Sequence, residues 1–279
     1  MIGGVELRKQ RNLGDIVSDA FTILFAAWKP LAMIVIPVVA FTVATQLILY
    51  AVGDDISDAI FAQEEFQEKV EDYVDRLDAD ADAAWDWDIS PISVIVLAAS
   101  VLIGFILTVL TSAALVSYLD RSDRGEQVTS ADALDDAQDR LGPLIGATLR
   151  AALICFLLAI TVIGIPFAIY RAVRWIFISQ VVMVEGIRGH AVLARSAELI
   201  QGKWWNTVGR LIVTALVIQI PTGILSSALT AAFPGVVGIL LTSAIGFVTT
   251  PFGIIASSLM FFDLFVRKAP QPNADVSPA

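Results

Sequence analysis

The chain has 279 residues, of which 57% are hydrophobic and 16% charged, and its formal net charge is −10. Soluble globular domains are about 45–50% apolar and about 25% charged, so this composition disfavours a soluble enzyme and a disordered chain. Nucleic-acid binding requires clustered positive charge, and the acidic balance argues against such a partner. The composition predicts a protein that crosses the membrane several times.

Six segments are long and apolar enough to cross a hydrocarbon core about 30 Å thick, which takes a helix of about 20 residues. They are Leu31–Val52, Ile92–Leu119, Leu144–Ile163, Phe167–Val184, Val208–Ala231 and Val236–Val266. The third and fourth segments are separated only by three residues ending at Pro166, which predicts a tight hairpin with this proline in the first turn of the fourth helix. We therefore expect an all-α bundle of six spans over residues 1–268, followed by a disordered tail at 269–279.

A shorter amphipathic helix is predicted before three of the spans, because apolar residues recur there at helical spacing. The apolar positions are Leu13, Ile16, Val17, Ala20, Phe21, Leu24 and Trp28, then Leu134, Ala137 and Leu141, then Leu193, Ala197, Ile200 and Trp204. Each helix is polar on its other face, so we expect all three to lie in the membrane interface. The first two align without gaps, with Pro30 on Pro143. The pattern indicates three units, each an interfacial helix followed by a helical hairpin, although amphipathic lead-ins can also look alike without a repeat.

The distribution of basic residues predicts the orientation. Twelve Lys and Arg residues lie in the N-terminal segment, the 120–142 and 186–206 loops and the tail, against two in residues 53–90. The positive-inside rule then places both termini in the cytoplasm and residues 53–90 outside the cell membrane. Trp28, Trp204 and Trp205 fall at the inner interface, as expected for an aromatic belt.

Residues 53–90 hold fourteen acidic residues, and their apolar positions predict an amphipathic helix with a heptad seam. We expect this helix to pack on the outer rim of the bundle; pairing with a second copy is the alternative. Residues 78–82 copy the opening of an EF-hand loop, but Ala83 and Ile89 stand where the motif needs Gly and Glu. We therefore expect no specific calcium site here.

The segment from Ala194 to Trp205, ARSAELIQGKWW, resembles the "RS-x-x-L-x-x-G-x-WW" stretch of the glycerophosphoryl diester phosphodiesterase membrane-domain family. Val184-Glu185-Gly186 is similar to the "V-E-G" step of that family, and Gly14-Asp15-Ile16 with Ala20-Phe21 to its N-terminal helix. The similarity extends from Leu13 to about Lys268, with residues 53–90 as an insertion. In some members this region precedes a catalytic domain, which we do not expect in this chain. The resemblance implies a membrane module and gives no ground for phosphodiesterase activity.

Arg171 and Arg174 are the candidate ligand-binding residues. They lie five and eight positions past Pro166, about 7–12 Å into the fourth helix at ~1.5 Å per residue. A charge inside the membrane is a functional-site hypothesis by default, and this pair predicts a site for an anion or a lipid headgroup near the outer leaflet. The alternatives are snorkelling to the outer interface and ion pairs with Asp86 and Asp88.

Interfacial anchoring is predicted for Trp28, Arg195, Lys203, Trp204 and Trp205, whose cations can meet lipid phosphates while the indoles enter the acyl boundary.

Asp263 is expected to pair with Arg267 one helical turn on, because helical residues four apart are neighbours. A proton relay would require further buried carboxylates, for which Glu185 is the other candidate. In the last two spans, Pro221 and Pro251 predict kinks. Gly246 with Thr250, and Gly253 with Ser257, predict close helix contacts, which also suit a helix that bends during transport.

A metal or redox site is not expected, because the chain has one cysteine, Cys155, and one histidine, His190, and we predict no cofactor. Asp132, Asp135, Asp136 and Asp139 contain a DDxxD pattern, which binds diphosphate through magnesium in prenyl-transferring enzymes. Here no second aspartate-rich motif accompanies it.

The leading hypothesis is a non-catalytic membrane module that interacts with lipid, a protein partner or a second copy. The second is a small-molecule or lipid transporter with its site at the repeat interface. A membrane-embedded lipid-modifying enzyme is the third.

Overall fold

A computed structural model describes residues 2–61 and 91–268 of the chain, and side chains for 2–51 and 98–268. The helices in those ranges are α1 Leu13–Ala26, α2 Trp28–Phe61, α3 Pro91–Asp123, α4 Ser130–Asp139, α5 Leu141–Ala159, α6 Ile165–Arg174, α7 Ile178–Val184, α8 Ala191–Ile200, α9 Trp204–Ala232, α10 Val236–Ala244 and α11 Gly246–Lys268. The amphipathic helix predicted within 53–90 and the motif at 78–82 fall mainly outside the described residues, and the tail at 269–279 lies wholly outside them.

Six helical segments are long and apolar enough to cross a membrane: α2, α3, α5, α6 with α7, α9, and α10 with α11. Large apolar side chains on the outside of the bundle are exposed, as lipid-facing side chains are; Ile212, Leu216 and Ile220 of α9 are examples. The core lies between α3 and α11, where residues such as Ala113 and Phe252 are fully buried. The chain is thus an all-α multi-pass membrane bundle, and the predicted fold is confirmed.

The three hairpins are α2 with α3, α5 with α6 and α7, and α9 with α10 and α11. The short helices α1, α4 and α8 precede them in chain order. Asn12 and Asp15 begin α1 with a capping box, and Thr129 and Asp132 begin α4 in the same way. In each box the side chains bond reciprocally to backbone N–H groups of the first turn that would otherwise lack a partner.

Each short helix packs on the second arm of another hairpin. Helix α4 packs on α3, and α8 packs on α7, so each contacts the hairpin that precedes it in the chain. Helix α1 has no preceding hairpin and packs on α11, the second arm of the last one. The three units therefore form a closed cycle, and the short helices lie at one end of the bundle.

The fourth and sixth spans are interrupted, whereas the apolar runs predict one continuous helix in each. Helix α6 ends at Arg174, and Ser196 of α8 supplies the missing bonds: its hydroxyl donates to the Arg174 carbonyl (2.9 Å) and accepts from the Phe177 N–H (3.3 Å). In the sixth span Ile245 separates α10 from α11, and its N–H bonds to the Thr242 carbonyl three residues back. The backbone groups freed at such a break can bond to residues elsewhere in the fold. The hydropathy of the segment is then unchanged, so it does not predict the break.

Candidate functional site

Asp263 is the centre of a buried group of charged residues. Its side chain is fully buried, and three donors surround it. Oδ1 accepts from the backbone N–H of Arg11 (2.8 Å) and from Nε of Arg267 (2.8 Å), and Oδ2 accepts from a guanidinium nitrogen of Arg210 (2.6 Å). The predicted pair with Arg267 is therefore present, and two further arginines join it.

Arg11 is itself buried, although it lies just before α1. Its Nε donates to Asp19 (2.8 Å), and its other guanidinium nitrogens donate to the carbonyls of Glu6 and Leu7. Its own carbonyl accepts from the guanidinium groups of Arg210 and Arg267. A buried charge is costly unless it is paired and hydrogen-bonded, and these contacts meet that condition. We call these five residues (Arg11, Asp19, Arg210, Asp263 and Arg267) the Asp263 cluster.

An open cavity of about 600 Å³, which we call the Trp204 cavity, lies beside this cluster between the start of α9 and the end of α11. Its lining includes three cationic side chains, one carboxylate and two indoles; the residues are Gly202, Lys203, Trp204, Trp205, Asn206, Arg210, Asp263, Leu264 and Arg267. The Asp263 carboxylate is already bonded on both oxygens, and Lys203 makes no ion pair within the described ranges. The cavity therefore presents net positive charge.

The start of α9 adds to this positive character. Lys203 precedes the helix, and no side chain caps the first turn. The first N–H groups of a helix have no partner inside the helix, and the helix dipole places partial positive charge at this end. Both effects favour an anion in the Trp204 cavity.

A row of aromatic and cationic side chains runs from α6 to the rim of this cavity. The indole N–H of Trp204 donates to the Tyr170 carbonyl (3.4 Å), and the two rings lie 5.5 Å apart. The guanidinium of Arg174 lies 5.5 Å from the centre of the Tyr170 ring. Trp205 packs edge-on against Trp204 at 4.6 Å and is 80% exposed.

The contact between Trp204 and Tyr170 also corrects the depth expected for the arginine pair. Trp204 is predicted at the inner interface and Arg174 near the outer leaflet, and the two placements are incompatible because Tyr170 touches both residues. The Arg174 carbonyl also bonds to Ser196 of α8. Arg171 and Arg174 therefore lie toward the end of the bundle that carries the short helices. The count from Pro166 assumes an unbroken span, whereas α6 ends at Arg174.

Arg171 and Arg174 make no ion pair with the residues that the structure describes. Each guanidinium instead lies over a ring of its own segment, Arg171 over Trp175 at 5.5 Å and Arg174 over Tyr170. Asp86 and Asp88, their predicted alternative partners, lie outside the described residues. A ligand on this arginine pair stays a prediction.

The other predicted anchors divide into two groups. Trp28 is exposed, with the Lys29 ammonium 5.8 Å from its ring centre, and Lys203, Trp204 and Trp205 together line the Trp204 cavity. Arg195 instead bonds to Glu185 (2.8 Å) and Glu198 (3.0 Å). Burial lowers the pKa of Arg195, but the hydrogen bonds to the two carboxylates raise it more, so that its pKa lies above the ordinary value. Its charge is thus already neutralised by protein groups.

Two aspartates of α4 are engaged within the fold, Asp132 in the first turn and Asp136 of the DDxxD pattern. Asp132 accepts from the Thr129 N–H, and this bond lowers its pKa. Asp136 accepts from the Ser117 hydroxyl and from Arg121 of α3, both at 2.7 Å. Elsewhere, Cys155 contacts the Ala168 carbonyl, and His190 is exposed before α8.

Sequence reasoning misses Arg210 and Arg11 as site residues. Arg210 carries a usable signal, since it lies six positions into α9 and is a charge inside an apolar span, like Arg171. Arg11 carries none, because its N-terminal position resembles an ordinary cytoplasmic flank. A further regularity is an acid at the end of each second arm: Asp120, Glu185 and Asp263, each paired with arginine.

The fold defines the class of protein: an all-α, multi-pass membrane protein, with six candidate spans in residues 2–61 and 91–268. No family model matches the chain, and neither curated proteins nor solved structures give a match. The resemblance to the glycerophosphoryl diester phosphodiesterase membrane domain therefore rests on the short motifs quoted above, and membership of that family stays a prediction.

Proposed function

We propose that this protein is a non-catalytic membrane module that binds the headgroups of anionic phospholipids in the Trp204 cavity. One observation carries the proposal: Lys203, Arg210 and Arg267 converge on a cavity whose single carboxylate, Asp263, already accepts three hydrogen bonds. The site therefore lacks an anion to balance its charge.

The lining matches the chemistry of a phospholipid at the membrane surface. Arginine forms charge-assisted, often bidentate bonds to phosphate, and lysine supplies a mobile point charge. Trp204 and Trp205 suit the boundary between headgroup and acyl chain, where amphipathic rings concentrate. A volume of about 600 Å³ is in the usual range for small-molecule sites, about 300–1,000 Å³.

The proposal includes the orientation and the family. With both termini in the cytoplasm of the cell, the Trp204 cavity faces the inner leaflet, where anionic lipids attract basic segments. Gly202, Lys203, Trp204 and Trp205 also form the end of the motif that resembles the glycerophosphoryl diester phosphodiesterase membrane domain. A membrane module of that family is the assignment that we propose. Whether lipids alone or also a protein partner or a second copy occupy the surface is part of the same hypothesis.

The test is native mass spectrometry of protein purified from membranes containing phosphatidylglycerol and phosphatidylethanolamine. We expect the wild type to retain phosphatidylglycerol, and Lys203→Gln to retain at least several-fold less. Lys29→Gln is the matched control, since it removes an interfacial ammonium outside the cavity. Equal retention in both variants, or no preference for the anionic lipid, would contradict the proposal.

Transport of a small molecule is the second candidate function. It is favoured by a separate cavity of about 350 Å³ between α2 of the first hairpin and α9, α10 and α11 of the third. This cavity lies between two repeat units, where transporter sites are commonly found.

A further inference from the structure

The cavity between α2, α9, α10 and α11 is polar without being charged. Its lining contains the amides of Gln46 and Gln219 and a set of hydroxyls that includes Thr42, Thr222 and Thr249, and none of the described lining residues carries a charge. Gln219 is the sixteenth of the 29 residues of α9, about 22 Å from Trp204 at ~1.5 Å per residue. In a hydrocarbon core of about 30 Å, this polar group lies inside the apolar layer, about 8 Å from its far boundary.

The two glutamine amides have unused hydrogen-bonding capacity. The side-chain amide of Gln219 makes no hydrogen bond within the part of the chain that the structure describes, whereas its backbone carbonyl accepts from the Thr222 hydroxyl. Gln46 uses only Oε1, which accepts from the Ser243 hydroxyl at 3.4 Å. The threonine hydroxyls donate to carbonyls of their own helices, as Thr42 does to Val38, and keep their acceptor lone pairs. An amide without hydrogen-bond partners in an apolar medium is unfavourable, which favours an occupant that supplies them.

The break in the sixth span lies at this cavity. Ser243 and Gly246 flank the interruption at Ile245 and line the cavity on either side of it. A Cβ on Gly246 would lie 3.2 Å from Cγ2 of Val39, so glycine permits the close approach of α11 to α2 there. Interrupted helices with exposed backbone groups at a repeat interface are a recurrent way to bind a substrate within the membrane.

We propose that this cavity binds a small uncharged solute that carries both hydrogen-bond donors and acceptors, such as an amide or a polyhydroxyl compound. The inference rests on the second candidate function and is independent of the Trp204 cavity. Two amides supply donors and acceptors, the hydroxyls supply acceptors, and the described lining offers no charged group to pair with an ion. The volume of about 350 Å³ admits a molecule of a few heavy atoms together with water.

The experiment is stopped-flow light scattering on proteoliposomes, with urea and glycerol as probes and water flux as reference. We expect the wild type to raise the permeability to at least one probe above that of empty liposomes. Gln219→Leu and Gln46→Leu should each reduce this increase at least fivefold. Thr108→Val is the control, because it removes a hydroxyl of α3 that bonds to its own helix and does not line the cavity.

A stability measurement separates a binding role from a structural one. If the role of Gln219 is to bind the solute, replacing it by leucine abolishes the solute flux. The same substitution raises the thermal midpoint in detergent, because it removes an unpaired amide. Flux of water alone overturns the proposal. So does a wild-type dimer that Gln219→Leu dissociates, which would assign the amide to helix association. Either result leaves the lipid retention expected at Lys203 unaffected.

Discussion

The backbone N–H of Arg11 donates to Oδ1 of Asp263, 2.8 Å away and 252 residues later in the chain. Through this bond the segment before α1 is held by the last span, and Arg210 and Arg267 complete the coordination of the same carboxylate. The contact closes the cycle of three units, and Asp263, Arg210 and Arg267 also line the Trp204 cavity. Stability and the proposed headgroup binding thus depend on a shared group of residues.

Replacing Asp263 by asparagine is expected to destabilise the protein strongly. The variant leaves the positive charges of Arg210 and Arg267 without their carboxylate, and breaking a buried ion pair costs about 3–5 kcal/mol. Thermal unfolding in detergent measures the effect. Asp135→Asn, on the exposed face of α4, is the control and should unfold like the wild type. Equal midpoints for the two variants would show that the cluster does not hold the fold.

Ser196→Ala tests the break in the fourth span. The hydroxyl is fully buried and bonds to both the Arg174 carbonyl and the Phe177 N–H, so its loss leaves two backbone groups unpaired. Each unpaired buried group costs about 1–3 kcal/mol, and the thermal midpoint should fall accordingly. Ser18→Ala on the exposed face of α1 should leave the midpoint unchanged or slightly higher. A stable Ser196→Ala protein would mean that the break needs no side-chain support.

The contact of α4 with α3 should depend on pH through Asp136. Burial raises the pKa of this carboxyl, but bonds from Ser117 and Arg121 outweigh burial and leave the pKa below its ordinary value of about 3.9. A lowered folded-state pKa stabilises the fold above the ordinary value, and this contribution disappears as the pH falls through the folded-state value. The midpoint difference between wild type and Asp136→Asn should therefore be present at pH 7 and shrink below about pH 4. A difference that widens in acid would reverse the sign and refute the assignment.

The double variant Arg171→Leu with Arg174→Leu tests the predicted ligand-binding pair. If the row from Arg174 through Tyr170 to Trp204 extends the headgroup site, the variant should lose the lipid that the wild type retains in purification. Native mass spectrometry provides the measurement, with Arg188→Leu in the loop before α8 as control for lost positive charge. Unchanged retention in the double variant would remove this pair from the site and leave the Trp204 cavity to bind alone.

The six spans could be predicted from sequence because hydrocarbon thickness imposes a length and composition that each segment must meet. The capping boxes at Asn12 and Thr129 could be predicted as well, because each involves residues that are close together in the sequence. The interruption at Trp175 is not, because the bonds that compensate for it come from Ser196, in another unit. A break satisfied by a distant partner leaves no trace in the hydropathy of its own segment.

The residues of the candidate site divide in the same way, into those that local sequence predicts and those that only distant contacts bring together. Lys203, Trp204 and Trp205 are adjacent, and their composition alone indicates an interfacial role. The pairing of Asp263 with Arg267 follows from helical spacing. The convergence of Arg11 and Arg210 on that aspartate joins residues that are far apart in the chain, and no periodicity connects them. The predicted depth of Arg174 was wrong for a related reason, because the prediction assumed that the fourth span runs without a break.

The packing of α1 on α11 joins the earliest and latest helices of the described chain, and synthesis supplies them in that order. While the ribosome is still making the first two hairpins, the backbone N–H of Arg11 lacks the Asp263 carboxylate that accepts from it, and neither wall of the Trp204 cavity exists. The headgroup site proposed here is therefore assembled last. Until α11 is made, the face of α1 that packs on it stays uncovered.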